Sequence, residues 1–421
     1  MPDISPRPVA AGTLQSRITG GVLFLMLALG LYVPNAFDYG LAVLALLAVG
    51  WLAGAGLKQQ HRLAPLERFF LLAVVVFMAA WYAAWAAHGF SDGGLSMALR
   101  LPKLILAVPF YLYLRRVRGL ESAWWNGLTA GAIGAGAYAL WFNLSGQTGQ
   151  YGWRVTGPTN PIYFGGLVLA YALMLIPRLA DSRQSSLART LAGVAIIMAF
   201  VANALSGSRG AWLAIPALAA IYIFTAGARQ PLRWRLGLPA LIGTLSLVVL
   251  LNPLLPMSDR FDETLADLKV ISSGEDSPGG IGIRLQLWEV ARELARQHPL
   301  AGSGPGSFEL ALADEAAVRP DRAYLAGFDH PHNQYLSALI DGGPALLVCL
   351  LALLAAPILL VSPLSRDYSR QCRYLAWCAL AAGVVIAVMA LSESLFERNA
   401  GLVWFAFLSA TATALANRAP T

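Results

Sequence analysis

The sequence predicts an all-α polytopic membrane protein. Of its 421 residues 57% are hydrophobic and only 13% are charged, against about 25% charged in a soluble domain. Apolar runs recur along the whole chain, many near the roughly 20 residues that carry a helix across a bilayer. The basic residues between these runs fall mostly on one side.

The chain opens with a polar, Pro-containing segment, MPDISPRPVAAGTLQSRITG. The apolar run after it is too long for a signal-peptide core and has no clear cleavage site, so a retained first span is expected. Twelve spans are expected, near 18–36, 39–57, 66–87, 98–114, 123–144, 161–178, 188–206, 211–227, 236–256, 334–361, 373–391 and 400–417. The fourth and eighth are short for a bilayer. The chain thus divides into nine spans within 1–256, a long loop at 257–333, and three spans within 334–421. Cys349, Cys372 and Cys378 lie in or near the last apolar runs and offer neither a disulfide framework nor zinc spacing.

A cytoplasmic N-terminus puts 18 of the 30 Lys and Arg on the inner side, from Arg7 and Arg17 through Arg115, Arg116 and Arg118 to Arg418. The short outer segments hold only Arg100, Lys103, Arg154, Arg209 and Arg398, and the other seven lie in the long loop, which the positive-inside rule does not count. Both termini are expected in the cytoplasm. The net charge of +7 is mostly a topology signal and gives no reason to expect nucleic acid as a partner.

The loop carries 13 Asp and Glu against seven Lys and Arg. The 3.6-residue period predicts helices over 260–271, with Phe261, Leu265, Leu268 and Ile271 on one face, and over 283–297, with Leu287, Val290, Ala291 and Leu294 on one face. A third is expected over 307–318, with Ser307 as N-cap. Such an amphipathic loop can lie on the membrane and cover a site beneath it.

Arginines at the membrane edge are costly unless they have a partner or a polar cavity. Arg154 lies in GWRVTGPTNPIYFGG, Arg209 in ALSGSRGAW between two apolar runs, and Arg284 one helical turn before Trp288. Guanidinium forks match phosphate oxygens two at a time, so the three suggest an anion site. The plainer reading is that each snorkels to headgroups or pairs with the loop's acids. The Gly-rich GSGPGSF at 302–308 lacks G-K-[ST] and a preceding strand, so a turn between loop helices is expected and not a phosphate loop. His298 falls at a helix end, His61 on the inner side and His88 at the end of a span.

That leaves His330 and His332, in GFDHPHNQYLSALIDGG at the outer mouth of the tenth span. No H-E-x-x-H and no Cys ligand accompanies them, and Asp329 is the one adjacent carboxylate, which disfavours a metal site. An imidazole titrates near neutrality and suits a general base. The alternative is a turn in which Asn333 caps the helix that follows. No carboxylate pair at glycosidase-like spacing is evident.

Four motifs carry a resemblance: S-G-S-R-G-A at 206–211, R-L-Q-L-W at 284–288, G-S-G-P-G-S-F at 302–308 and H-N-Q-Y-L-S-A-L-I-D-G-G at 332–343. With twelve spans and one large loop between the ninth and tenth, the chain resembles the O-antigen ligase family, in a superfamily shared with O-antigen polymerases and bacterial O-linked oligosaccharyltransferases. Asp341 stands where many relatives have Glu. The resemblance implies a GT-C-like glycosyltransferase of the bacterial inner membrane that moves a glycan from undecaprenyl diphosphate to lipid A–core at the periplasmic face. It implies His332 as general base, Arg209 and Arg284 as the two essential arginines, and no cofactor or metal. Arg154 and Asn160 would contact the diphosphate, with Trp288, His330 and Asn333 beside the substrates. A polymerase or protein oligosaccharyltransferase remains an alternative within the superfamily. A transporter of lipid-linked glycans or anions is the alternative outside it, though the unusual polar residues sit on one side and no duplicated half is visible.

Overall fold

The computed structural model describes residues 12–56, 63–224, 236–237, 240, 243–244, 257–273, 277, 279–361 and 370–418. Among these, the regular structure is entirely helical, with one isolated backbone bridge between Gly149 and Gly152. Among the described residues, eight helices are long and apolar enough to cross a membrane: Ala36–Gly54, Pro65–Ala87, Asp92–Leu114, Pro161–Ala180, Ser186–Ser206, Gln334–Val361, Cys372–Met389 and Asn399–Ala416. The chain is therefore a multi-pass α-helical membrane protein. Leu14–Leu29 and Gly210–Ile223 fill the expected first and eighth places as shorter apolar helices. The expected ninth span, 236–256, falls almost wholly outside the described residues.

The expected fourth span comes out longer than 98–114, because the helix begins at Asp92 and continues through a 3-10 segment at Leu101–Leu106, where Pro102 interrupts the α-helical bonding. Glu121–Leu144, in the fifth place, is less apolar because its glycines serve close packing. In its Gly127-x-x-x-Gly131 step, a Cβ on Gly131 would lie 2.1 Å from the Leu27 carbonyl oxygen, the small-residue contact that lets membrane helices approach.

Two helices form the centre. Burial reaches 83% of the apolar window of Pro161–Ala180 and 89% of that of Asn399–Ala416, against 22% for Ala36–Gly54. The peripheral helix turns Tyr39, Val43 and Leu46 outward along one stripe, the face expected to meet lipid.

Gln334–Val361 is broken at Gly342 and Gly343, the latter with φ +66° and ψ −163°, a conformation only glycine adopts at low cost. The next residue is Pro344, which has no N–H to give the Ile340 carbonyl. The N–H of Ser303 supplies it at 2.6 Å. The GSGPGSF segment is thus a turn, as expected, and it repairs the kink. It packs so tightly there that a Cβ on Gly343 would sit 2.2 Å from the Leu300 carbonyl oxygen. His88, the C-cap of Pro65–Ala87, holds the other side of this turn through Nε2 and the Gly302 carbonyl oxygen, 3.2 Å apart.

The loop helices are Met257–Ser272, Gly280–Gln297 and Ser307–Val318. Leu287 and Ala291 pack with Phe308, Leu312, Leu325 and Ile340 in a small second core above the kink, with Val290 and Leu294 against it. On the first loop helix Leu265 and Leu268 stay exposed, so the expected apolar face there is not buried. Ser307 is not the N-cap: Gly306, at φ +85° against the backbone of Gly93, takes that position, because a side chain would collide there.

Candidate functional site

The histidine loop is fastened from three directions. The Asn333 side-chain oxygen accepts the N–H groups of Tyr335 at 3.0 Å and Leu336 at 3.1 Å, so it caps the helix. Asn333 N–H donates to Ser394 Oγ at 3.1 Å, and Ser337 Oγ lies 2.9 Å from the same hydroxyl. The Gln334 N–H donates to the Ala390 carbonyl at 2.8 Å, and its side-chain oxygen accepts the Phe396 N–H at 2.6 Å. From the outer loop, Trp288 Nε1–H donates to the Pro331 carbonyl at 2.9 Å. The H-N-Q-Y-L-S motif is a seam that stitches this loop to residues 390–396.

Held this way, His332 adopts φ +49°, at a cost of about 1–2 kcal/mol for a residue with a side chain. A strained backbone that its surroundings enforce points to function. Its Nδ1 lies 3.3 Å from Glu393 Oε2. An ionised carboxylate can only accept, so a proton on Nδ1 would face Glu393 and leave Nε2 to take another. The other Glu393 oxygen is 3.3 Å from Nε2 of His330, whose Nδ1 is 3.6 Å from Asp329. Neither His330 nitrogen makes a hydrogen bond there, so these are charge contacts.

Glu393 is 1% exposed. Burial alone would raise its carboxyl, but the imidazoles of His330 and His332 outweigh that and lower it to about 2. Burial pushes His330 down, and the Glu393 and Asp329 carboxylates more than reverse this, leaving it raised. Glu393 went unnoticed in the sequence. The signal was SESLFERN at 392–399, a polar stretch between two apolar runs, of which only Arg398 was singled out, for topology.

His330, His332 and Glu393 bring three metal-ligating atoms within 4.8 Å of one another, the one such group found among the described residues. The carboxylate absent from the histidine motif itself comes from 61 residues beyond His332. Asp341 and Glu397 likewise share one cavity, a pairing of carboxylates that the sequence did not reveal.

Arg154 and Arg209 meet on one loop. Arg154 Nε donates to the Ser206 carbonyl at 2.8 Å, and the Arg209 guanidinium donates to the Thr264 hydroxyl on the first loop helix. Gly210 backs onto Ser392, where a Cβ would come within 2.2 Å of Oγ, so Arg209 adjoins the Glu393 segment. Arg284 is half-buried on the helix that Trp288 pins to the histidine loop. Asn160 accepts the N–H groups of Ile162 and Tyr163, both at 2.9 Å, which commits its oxygen to capping Pro161–Ala180. The fold thus joins the elements that carry the three arginines to the one that carries His332.

Residues 193–351 match the family model described as O-antigen ligase. That stretch holds Arg209, Arg284, Trp288, His330, His332 and Asn333, while Glu393 lies beyond it. Over 383 residues the chain is 21% identical to an uncharacterized protein of Haemophilus influenzae, an alignment covering 89% of this chain and 92% of that one.

Proposed function

We propose, from the premise that this chain belongs to the O-antigen ligase family through the domain at 193–351, that it transfers a glycan from undecaprenyl diphosphate to lipid A–core at the periplasmic face of the inner membrane. The observation that carries the reading is the arrangement at His332. Its backbone is held at a strained φ and its Nδ1 lies against Glu393, which supports Nε2 as the proton acceptor. In the reaction Nε2 takes the proton of an acceptor hydroxyl as its oxygen bonds to the anomeric carbon. The bond from that carbon to the diphosphate oxygen breaks, and undecaprenyl diphosphate leaves with the electron pair. A single displacement of this kind inverts the anomeric centre. Glu393 orients the imidazole and stabilises the imidazolium. Arg209 and Arg284, with Arg154 beside them, stabilise the charge growing on the diphosphate, a task that divalent cations serve elsewhere.

The test is reconstitution of the purified protein with lipid-linked glycan and lipid A–core, read by gel mobility. The wild type shifts the acceptor. His332→Asn loses about 10²–10⁴ in rate while keeping its fold, since asparagine tolerates a positive φ. Undiminished transfer by His332→Asn removes the base from the mechanism. Elongation of the lipid-linked glycan with no shift of lipid A–core makes the protein a polymerase.

A further inference from the structure

Behind the histidine pair lies a cavity of about 110 Å³, bounded by Trp81 of Pro65–Ala87, Arg100, Ser337 and Asp341 of the kinked helix, Glu397, and the buried ring of His330. His330 thus has two sides: one faces Glu393 and through it His332, and the other faces this space. His330 is 3% exposed, and neither of its ring nitrogens has a hydrogen-bond partner in good geometry among the described residues.

The chemistry of the lining narrows what fits. Four acids, Glu309, Asp329, Asp341 and Glu397, stand against Arg100 and Arg398 and the imidazole. Arg100 spends a donor on the backbone carbonyl of Glu397 at 2.6 Å, so it holds the segment in place as well as offering charge. A lining that mixes carboxyls, guanidinium groups and an imidazole offers donors and acceptors at close spacing, which suits a polyol. A carboxyl group hydrogen-bonds sugar hydroxyls whether it is ionised or protonated. Asp341 is itself oriented by the Trp81 indole N–H at 3.3 Å. It sits seven residues into a membrane-spanning helix, about 10 Å below its start, a depth at which an acid is functional by default. The volume equals that of only about three to four waters, which suits the hydroxyl edge of one ring and not a whole oligosaccharide. The phosphate-matching arginines Arg154 and Arg209 belong to a different loop, at Ser206 and Ser392.

We infer that this cavity is an acceptor subsite beside the histidine loop, which takes the hydroxyl-bearing edge of a core sugar between Asp341 and Glu397. The inference rests on the transfer reaction proposed above and names the part of the site that chooses the acceptor.

Asp341→Asn and Glu397→Gln keep the shapes and replace each carboxyl with an amide. Each purified variant, and the wild type, is titrated with core oligosaccharide freed from lipid A, followed by calorimetry, and assayed for transfer at varied donor and varied acceptor. The wild type should bind the oligosaccharide saturably. The variants should bind it about 10- to 100-fold more weakly, the scale for leaving a buried polar partner unsatisfied, and their acceptor KM should rise in step while donor KM does not. Wild-type oligosaccharide affinity in both variants overturns the inference. So does a rise confined to donor KM, which would give the cavity to the donor glycan. A wild type that binds the oligosaccharide through these acids yet transfers nothing overturns the proposed reaction and leaves the subsite standing. Since the two substitutions lie on different elements, a folding failure in one leaves the other to decide.

Discussion

At the scale of single residues, the site is built from charges placed where their neighbours decide their use. Arg209 and Arg284 are assigned to a leaving diphosphate, where a guanidinium offers a two-pronged donor and an ammonium only a point charge. Arg209→Lys and Arg284→Lys should therefore be strongly impaired, and the Ala variants should lose the ~2.7–4 kcal/mol typical of one preorganised donor. Arg183→Lys, an exposed arginine on the far side, is the control and should transfer normally. Snorkelling to headgroups predicts the reverse, because Lys snorkels as well as Arg, so wild-type rates in both Lys variants would sink the assignment. Glu393 adds a pH signature. Its carboxyl is lowered from 4.5 to about 2, so its stabilisation is present above about 4.5 and lost as pH falls through about 2. His330 is raised above 6.5, so its stabilisation is full below 6.5 and lost as pH rises through the raised value. Glu393→Gln removes both. The gap in melting temperature between wild type and this variant should be widest between about pH 4.5 and 6.5 and narrower near pH 9. A gap that grows toward alkaline pH would contradict the ion contacts.

At the scale of elements, the kink in Gln334–Val361 sets the height of the site. Pro344 strands the Ile340 carbonyl, Ser303 answers it, and the outer loop is thereby tied to the membrane helix that begins just after His332. Gly343→Ala would place a Cβ 2.2 Å from the Leu300 carbonyl oxygen at φ +66°. It should destabilise the protein by more than the ~1 kcal/mol of an ordinary glycine replacement, seen as a lower melting temperature, with transfer falling because the loop loses its register. Wild-type stability in that variant would mean the turn and the kink are not coupled. The motifs separated cleanly at this scale. H-N-Q was legible as a helix start with Asn333 as cap. What was hidden was the reason for its length: Gln334 and Ser337 bond to residues 390–396, and no local pattern announces a partner more than fifty residues away.

At the scale of the whole molecule, the described residues form a buried pair of helices, an apolar outer rim and a polar cluster under the loop. If arginines alone hold the leaving group, transfer should survive EDTA, even though His330, His332 and Glu393 form a set of atoms able to bind a metal ion. Loss of activity with chelator and its return with a divalent ion would overturn that account. The sequence by itself determined the class of fold, most of the spans, the loop helices and the residues worth suspecting, because hydrophobic length, helical period and the expense of membrane-edge arginines are all local properties. Only the tertiary structure decided which carboxylates matter. Glu393 meets His332, and Glu397 meets Asp341, because Gln334–Val361 and Cys372–Met389 carry the chain across and back to the same side of the bundle. That juxtaposition depends on how helices pack, and packing contacts between distant segments leave no periodic trace in either one.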